Sequence, residues 1–440
     1  MQKFLTFEEG EDRWYRLDNS ATMYPMLITR TSQSLFRTGV RLKKPVDPDV
    51  LERAVNAILP RFPSFAVQLR HGFFRPYHEA NNDRVPVFMD DGVLMAKINL
   101  KKNRRFMFKV AYFHDMILVD FLHSLCDGSG GAEFLKTLTF EYLRLSGVDL
   151  KADGSIKDPD GKPNPSEFED AFLKYYERVK LSRKMVKNMR GTPAVQVTGS
   201  RFRRVGFGLI EGTVASAELK ALSKKYDCTI TVIIAAYLLL SIAENQGIAP
   251  NDRNKYKNLV AFVPVNLRKI FPSDTVLNFT TVCYCAVNPN TTPRTIEAYV
   301  KELALSLSAQ LNKEVLIRRL SFTSYIDKAW YTKITPFFLK KFFLKLGLAF
   351  TPRTTMSLML SNLGIINMPK GAEEYVDRFL FDLNASRRVP SNAAVATYGD
   401  KTVISFTRII RETDLEKTFF RHLSAEGLTV DIVSNLREIE

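Results

Sequence analysis

Two rhythms of apolar spacing interleave along this chain. Residues 36–42, 65–69, 85–88, 106–113 and 116–122 are short apolar or alternating runs that predict strands, the last two forming a hairpin around His114-Asp115. Leu51, Ala54, Val55 and Ile58 recur instead at helical spacing. They follow Asp47-Pro48, an N-cap with proline at the first helical position, and Pro60 and Pro63 close that helix. A helix-like segment at 132–145 follows the small residues Gly128-Ser129-Gly130-Gly131. In the second half the pattern predicts a strand at 205–214 and helices at 216–226 and 229–245. Strands at 259–264 and 280–287 come next, then a helix at 293–311 carried by Ile296, Val300, Leu303 and Leu307. Strands at 355–360, 378–383, 393–398 and 403–406, a helix at 414–426 and a short strand-like tail complete the chain. Strands and helices are interspersed throughout, so the fold class is α/β with layered mixed sheets.

The rhythm breaks at 147–167, a linker-like stretch containing Asp158-Pro159-Asp160-Gly161-Lys162-Pro163-Asn164-Pro165. A basic helix at about 166–189 and a second break at 190–200 are expected beyond it. A chain of 440 residues exceeds the usual size of one core, and the division falls between halves 1–190 and 191–440. The apolar stretch 230–243 is too short to cross a bilayer and reads as a buried helix. Residues 334–350 combine aromatic bulk with Lys340, Lys341 and Lys345. They read as a helix packed on the core with snorkelling lysines, in preference to a lipid-facing surface or an apolar tunnel wall.

Composition narrows the partners. Apolar residues at 45% and charged residues at 25% are ordinary for a folded protein. The net charge of +16 favours anionic partners: coenzyme A phosphates, an acidic carrier protein or anionic lipid. No arginine-rich arm, zinc-finger spacing or basic heptad helix is present, so nucleic acid is not an expected partner. Cys126, Cys228, Cys283 and Cys285 form no C-x-x-C pair, and Cys283 and Cys285 share one face of a strand. Four reduced thiols are expected. The first ten residues carry acids where a signal peptide needs an apolar core. The expectation is a soluble, cytoplasmic protein with at most weak peripheral membrane contact.

The candidate chemistry centres on His123, one of five histidines, in Leu122-His123-Ser124-Leu125-Cys126-Asp127-Gly128 directly after the apolar run 116–121. An H-x-x-x-D-G match arises by chance in a chain like this at a rate on the order of one per cent. A neutral imidazole accepts a proton near neutral pH, a nearby Asp can hold the ring or the loop, and Gly leaves room for substrate. The plainer reading is a histidine at a strand end with Asp127 as N-cap of the next helix. Cys126 inside the motif reads either as a nucleophile or, in preference, as a small buried hydrophobe.

This motif resembles the active-site motif of the chloramphenicol acetyltransferase superfamily, which includes condensation domains of nonribosomal peptide synthetases, polyketide-associated acyltransferases and alcohol acetyltransferases. Two further stretches resemble family segments in the same order: Val263-Pro264-Val265-Asn266-Leu267-Arg268-Lys269-Ile270-Phe271-Pro272, and Ser361-Asn362-Leu363-Gly364 after Thr355-Met356-Ser357-Leu358-Met359-Leu360. The last is similar to a segment of alcohol acetyltransferases. Condensation domains usually carry a second His where this chain has Leu122, a departure that counts against peptide-bond formation and leaves ester formation untouched.

The resemblance implies two chloramphenicol-acetyltransferase-like subdomains forming a pseudo-dimer around a central tunnel, with His123 in its middle. It implies an acyltransferase that moves an acyl group from acyl-CoA to an alcohol, with His123 as general base and no bound cofactor or metal. An acyl carrier protein as donor and an amine as acceptor stay open, as does a non-catalytic relative that binds lipid or carrier protein. Asp127 would be structural with an Arg partner, for which Arg268 is the candidate, and Gly128 completes the motif. Asn278 resembles a family position of unspecified role. Backbone N–H groups near Gly128, or Ser361 and Asn362, are candidates for the oxyanion or the substrate. Without an attached carrier or adenylation domain the chain reads as a stand-alone enzyme; a monomer would complete its own site, and the oligomeric state is open.

Overall fold

The computed structural model describes residues 14–18, 21–28, 33–177, 193–202, 207–246, 257–328, 332, 334–350 and 355–435. Its strands are β1 Trp14–Arg16, β2 Leu35–Leu42, β3 Val67–His71, β4 Pro76–Ala80, β5 Val87–Met89, β6 Phe108–Phe113, β7 Met116–Leu122, β8 Gly208–Ala215, β9 Leu259–Asn266, β10 Thr280–Val287, β11 Leu358–Ile365, β12 Val376–Leu383, β13 Ser391–Tyr398, β14 Lys401–Arg408 and β15 Asp431–Ser434. The longer helices are α1 Pro48–Ile58, α2 Gly128–Leu145, α3 Ser216–Lys225, α4 Ile230–Asn245, α5 Ile296–Gln310, α6 Lys313–Lys328, α7 Phe337–Phe350 and α8 Asp414–Ala425.

The strand that delivers His123 is central to its sheet, which explains its continuous apolar run. β7 pairs antiparallel with β2 on one side and with β6 on the other, and the hairpin turns at His114, whose φ is 50°. The full order is β12-β2-β7-β6-β5, with β5 parallel to β6. The edge strand β12 arrives from the last quarter of the chain, antiparallel to β2. The second sheet has the order β10-β9-β11-β13-β14-β8-β15, mixed because β11 runs parallel to both neighbours. β1, β4 and β3 make a small third sheet. One apolar core lies around the first sheet with α1 and α2. The other surrounds α4, buried along most of its length as a helix apolar on all sides must be. Among the described residues no single helix is long and apolar enough to cross a membrane.

Between the sheets lies a buried ionic group. Arg37 Nε and Nη2 donate to both oxygens of Asp120 at 2.7 and 2.9 Å, and Nη2 also donates to Asp90 at 2.8 Å. Asp382 on β12, buried near Arg37 and Glu211, has its carboxyl pushed up to about 8, first by desolvation and then by Glu211.

Four expectations need correction. The Gly-rich stretch is the first turn of α2, which begins at Gly128 and not near 132. The predicted basic helix at 166–189 is broken: a 3-10 turn at Pro165–Phe168 and a short helix at Ala171–Lys174 are separated by extended Glu169 and by Asp170, whose carboxylate caps Phe172 and Leu173. Residues 178–189 of that expectation lie outside the described residues, as do 205–206 of the strand predicted at 205–214 and the N-terminal ten. The linker-like stretch is a strap held to the first sheet's core. Arg61 grips Glu167 at 2.5 and 2.9 Å, and Lys157 reaches the same carboxylate at 3.0 Å. Finally, α7 does not bury its aromatics: Phe338, Phe342 and Phe343 are each about 60% exposed.

Candidate active site

Three stretches far apart in sequence converge at the end of β7. The backbone N–H of His123 donates to Ser34 O at 2.8 Å, fixing the residue as the pairing of β2 and β7 ends. Its ring stacks on Tyr24, with centroids 4.4 Å apart and planes 14° apart, and meets Phe36 edge-on at 5.2 Å. The ring is half-buried, and desolvation lowers its pKa against the opposing pull of Asp127 and Asn278. The imidazole is therefore neutral at neutral pH and able to accept a proton.

Its tautomer follows from a chain of partners. Asn278 Nδ2 donates to Asp18 Oδ2 at 3.0 Å, which turns Asn278 Oδ1 toward His123 Nδ1 at 3.2 Å. An amide oxygen only accepts, so Nδ1 carries the hydrogen and Nε2 keeps its lone pair, with no hydrogen-bond partner among the described residues. Asp18 is fixed in turn by Ala21 N at 2.7 Å, and Asn278 N approaches it at 3.4 Å. Desolvation, and then the charge of Asp170, push its carboxyl up to about 7.

Asp127 is at once the N-cap of α2 and the partner of Arg268, so it holds the loop. Its Oδ1 accepts from Gly130 N at 2.9 Å, the N-cap bond of α2. Arg268 donates to it bidentately, Nη1 to Oδ2 at 2.8 Å and Nη2 to Oδ1 at 3.1 Å. Phe279 N and Thr280 Oγ1 each add a bond to Oδ2 at 2.8 Å. Although burial opposes ionisation, Arg268 and these donors hold the carboxyl below its usual range. Arg268 is equally occupied, donating to the carbonyls of Thr275 at 2.8 Å and Leu277 at 2.5 Å. Among the described residues no hydrogen bond joins Asp127 to His123; it acts on the ring through its charge and through the loop and 278–280 backbone that it holds.

The glycines are fixed by close approach. A Cβ on Gly130 would lie 2.0 Å from the carbonyl oxygen of Val276, a backbone atom that cannot step aside. At Gly128 the collision is milder, 3.0 Å from Leu363 and 3.2 Å from Phe381. That contact brings the third stretch, 361–364, against the first. Asn362 is committed elsewhere: Nδ2 donates to Thr231 Oγ1 at 3.1 Å, and Oδ1 accepts from Gly364 N at 2.7 Å. Gly364 has φ +76° with open space around it, so its backbone conformation is what demands glycine. Among the described residues no hydrogen bond joins Ser361 or Asn362 to His123. The N–H groups of Gly128 and Ser129 start α2 before intrahelical bonding begins, as an oxyanion donor requires. Cys126 is fully buried and its thiol pushed well up, which fits the small hydrophobe and not the nucleophile.

Asp18, Tyr24 and Thr280 escaped the sequence reading. Asp18 and Tyr24 precede the first recognisable strand, and only the fold carries them to residues more than ninety positions away. Thr280 could have been found as the first residue of a strand next to Asn278-Phe279.

No family model matches the sequence, and no curated protein matches it. Solved structures do. The chain is similar to polyketide synthase associated protein 5 from Mycobacterium tuberculosis, at 15% identity and TM-score 0.58 over 93% of this chain and 96% of that one. It is similar to the trichothecene 15-O-acetyltransferase of Fusarium sporotrichioides, at 11% identity and TM-score 0.62 over 96% of both chains. It is also similar to TRI101 of that fungus, crystallised with coenzyme A and T-2, at 12% identity and TM-score 0.60 over 95% of this chain and 99% of that one. The fold is thus the two-lobed, chloramphenicol acetyltransferase-like fold of the condensation-domain-like acyltransferases.

Proposed function

We propose that this chain is an acyltransferase that moves an acyl group from acyl-CoA to an alcohol. The observation that carries the reading is His123: neutral, half-buried, its Nδ1 hydrogen pointed at Asn278 and its Nε2 without a hydrogen-bond partner among the described residues, at a seam whose other side is supplied by residues 266–280. His123 Nε2 removes the hydroxyl proton as the acceptor oxygen attacks the thioester carbonyl, and the C–O bond forms. The tetrahedral oxyanion is met by the first N–H groups of α2. Collapse breaks the C–S bond, and the proton on Nε2 passes to the departing thiolate, leaving ester, free thiol and neutral imidazole. No acyl-enzyme is needed. Asp127 and Arg268 hold the loop against the second lobe, with lobes divided at 190/191 apart from the crossing strand β12. A tunnel along the seam would admit donor and acceptor from opposite faces, gaining rate from orientation and exclusion of water.

The basic charge suits either anionic donor, coenzyme A or an acyl carrier protein. An amine acceptor would use the same base. A panel of acyl-CoA and acyl-carrier-protein thioesters offered with small alcohols and amines, followed by mass spectrometry, tests the reading. Ester formed from a CoA thioester and lost in His123→Ala supports it. Turnover surviving that substitution, or binding of thioesters without any turnover, overturns it in favour of a non-catalytic relative.

A further inference from the structure

The helix α7 presents an apolar ridge to solvent. Phe338, Phe342 and Leu346 follow Ile334 at a spacing of four residues, and Phe343 lies beside them. Their exposures run from 43% for Leu346 to 62% for Phe338. The ridge does not stand alone. Phe73 and Phe74, 67% and 46% exposed, lie on a loop tied to α7 by Phe337 N donating to Phe73 O and by Lys340 Nζ donating to Phe74 O, both at 2.8 Å. The short helix Tyr24–Leu27 also lies against α7 and adds Met23 and Leu27 at the edge. Water-exposed apolar side chains on three neighbouring segments, aromatic on two of them, are a standing cost to a free soluble surface and mark an interaction site.

The charge around the ridge selects the partner. Residues 334–350, 72–75 and 23–27 contain no Asp or Glu, while Lys340, Lys341 and Lys345 flank the phenylalanines. A second copy docking here would set these lysines against each other. A ridge of aromatic side chains bordered by lysines is instead the arrangement that seats in the headgroup region of an anionic bilayer, rings in the acyl boundary and ammonium groups at the phosphates. We propose that α7, with the 73–74 loop, is a peripheral docking surface for anionic lipid membranes. Through Tyr24, which stacks on His123, the surface adjoins the candidate active site. The docking itself does not depend on the acyl-transfer reading.

The test is co-sedimentation of the full chain with vesicles of phosphatidylcholine alone and of phosphatidylcholine mixed with phosphatidylglycerol. The wild type is expected to pellet with the mixed vesicles and much less with the neutral ones, and high salt should release it. Phe338→Ser/Phe342→Ser/Phe343→Ser is expected to weaken partitioning at least about tenfold, because it removes most of the inserted apolar area. Phe73→Ser/Phe74→Ser, on a separate segment, should weaken it in the same direction, so a folding defect in α7 cannot decide the outcome. Lys341→Gln/Lys345→Gln should abolish the preference for anionic vesicles while leaving the melting temperature unchanged. Failure of the wild type to bind mixed vesicles overturns the proposal. So does binding that both phenylalanine variants retain, or a concentration-dependent dimer, lost in those variants, in a protein that ignores vesicles.

Discussion

Two buried aspartates grip neighbouring residues of one short segment, and the fold treats them in opposite ways. Asp127 takes Phe279 N and Thr280 Oγ1; Asp18 takes the amide of Asn278. Asp127 also has a bidentate arginine and the start of a helix, and its carboxyl is held low. The bonds of Asp18 come from amides, with Asp170 nearby, and its carboxyl rises to about 7. The same side chain serves as an arginine-paired strut in one place and as a weakly held acid in the other. The strut ties the start of α2 to residues 268–280, while the acid sets the orientation of Asn278 and through it the tautomer of His123.

The bluntest way to break this comparison is to remove what both carboxylates serve. His123→Ala should lower kcat/KM about a thousandfold with the melting temperature nearly unchanged, as loss of a general base predicts. A loss below about tenfold, measured with a thioester that turns over in the wild type, would mean that neither aspartate bears on chemistry.

The strut comes next. Arg268→Met leaves Asp127 buried with a charge and no cation, which should cost about 3–5 kcal/mol of stability. Asp127→Asn should cost less, because the guanidinium keeps the carbonyls of Thr275 and Leu277. Chemical denaturation of both variants checks the order. Equal, small losses would reduce the bidentate pair to an ornament of the seam.

How far could this have been foreseen? Most strands and helices were legible because their apolar spacing is local, as in α1 behind Asp47-Pro48 and in the hairpin that delivers His123. The pairing of Asp127 with Arg268 was legible only through a family resemblance, since 141 residues separate the two. The start of α2 was misread because glycines usually speak for turns. Here Gly130 is glycine because the Val276 carbonyl passes 2.0 Å from where a Cβ would sit. The exposed ridge of α7 was misread for the opposite reason. Phenylalanines at helical spacing normally face a core, and only coordinates show on which side the core lies.

A subtler cut separates the ring from Asp18. Asn278→Ala removes the acceptor that keeps the hydrogen on Nδ1, so both tautomers become populated and the ring is free to turn. The expected result is a roughly tenfold to hundredfold fall in kcat with KM little changed. Nitrogen chemical shifts of the imidazole should report the loss of the single tautomer. A spectrum identical to that of the wild type would show that stacking on Tyr24 alone fixes the ring.

The smallest expected effect tests the contrast itself. An acid whose folded-state pKa lies at about 7, above an unfolded value near 3.8, keeps a proton in the folded state that the unfolded chain has released. Its contribution is fully present below pH about 4, is lost as pH rises toward 7, and stays constant beyond. Asp127 has the opposite sign: its support is lost only as pH falls through its lowered pKa. Asp382, raised to about 8, and Glu211, also raised, slope the same way as Asp18 in any variant that keeps them. The informative quantity is therefore a difference. Between pH 5 and pH 8 the melting temperature of the wild type should fall by a few degrees more than that of Asp18→Asn, about what one or two kcal/mol gives in a chain of this size. If the two curves run parallel, Asp18 is ionised throughout that range. The two carboxylates would then be struts of one kind, and the tautomer of His123 would rest on the geometry of Asn278 without any help from the pH.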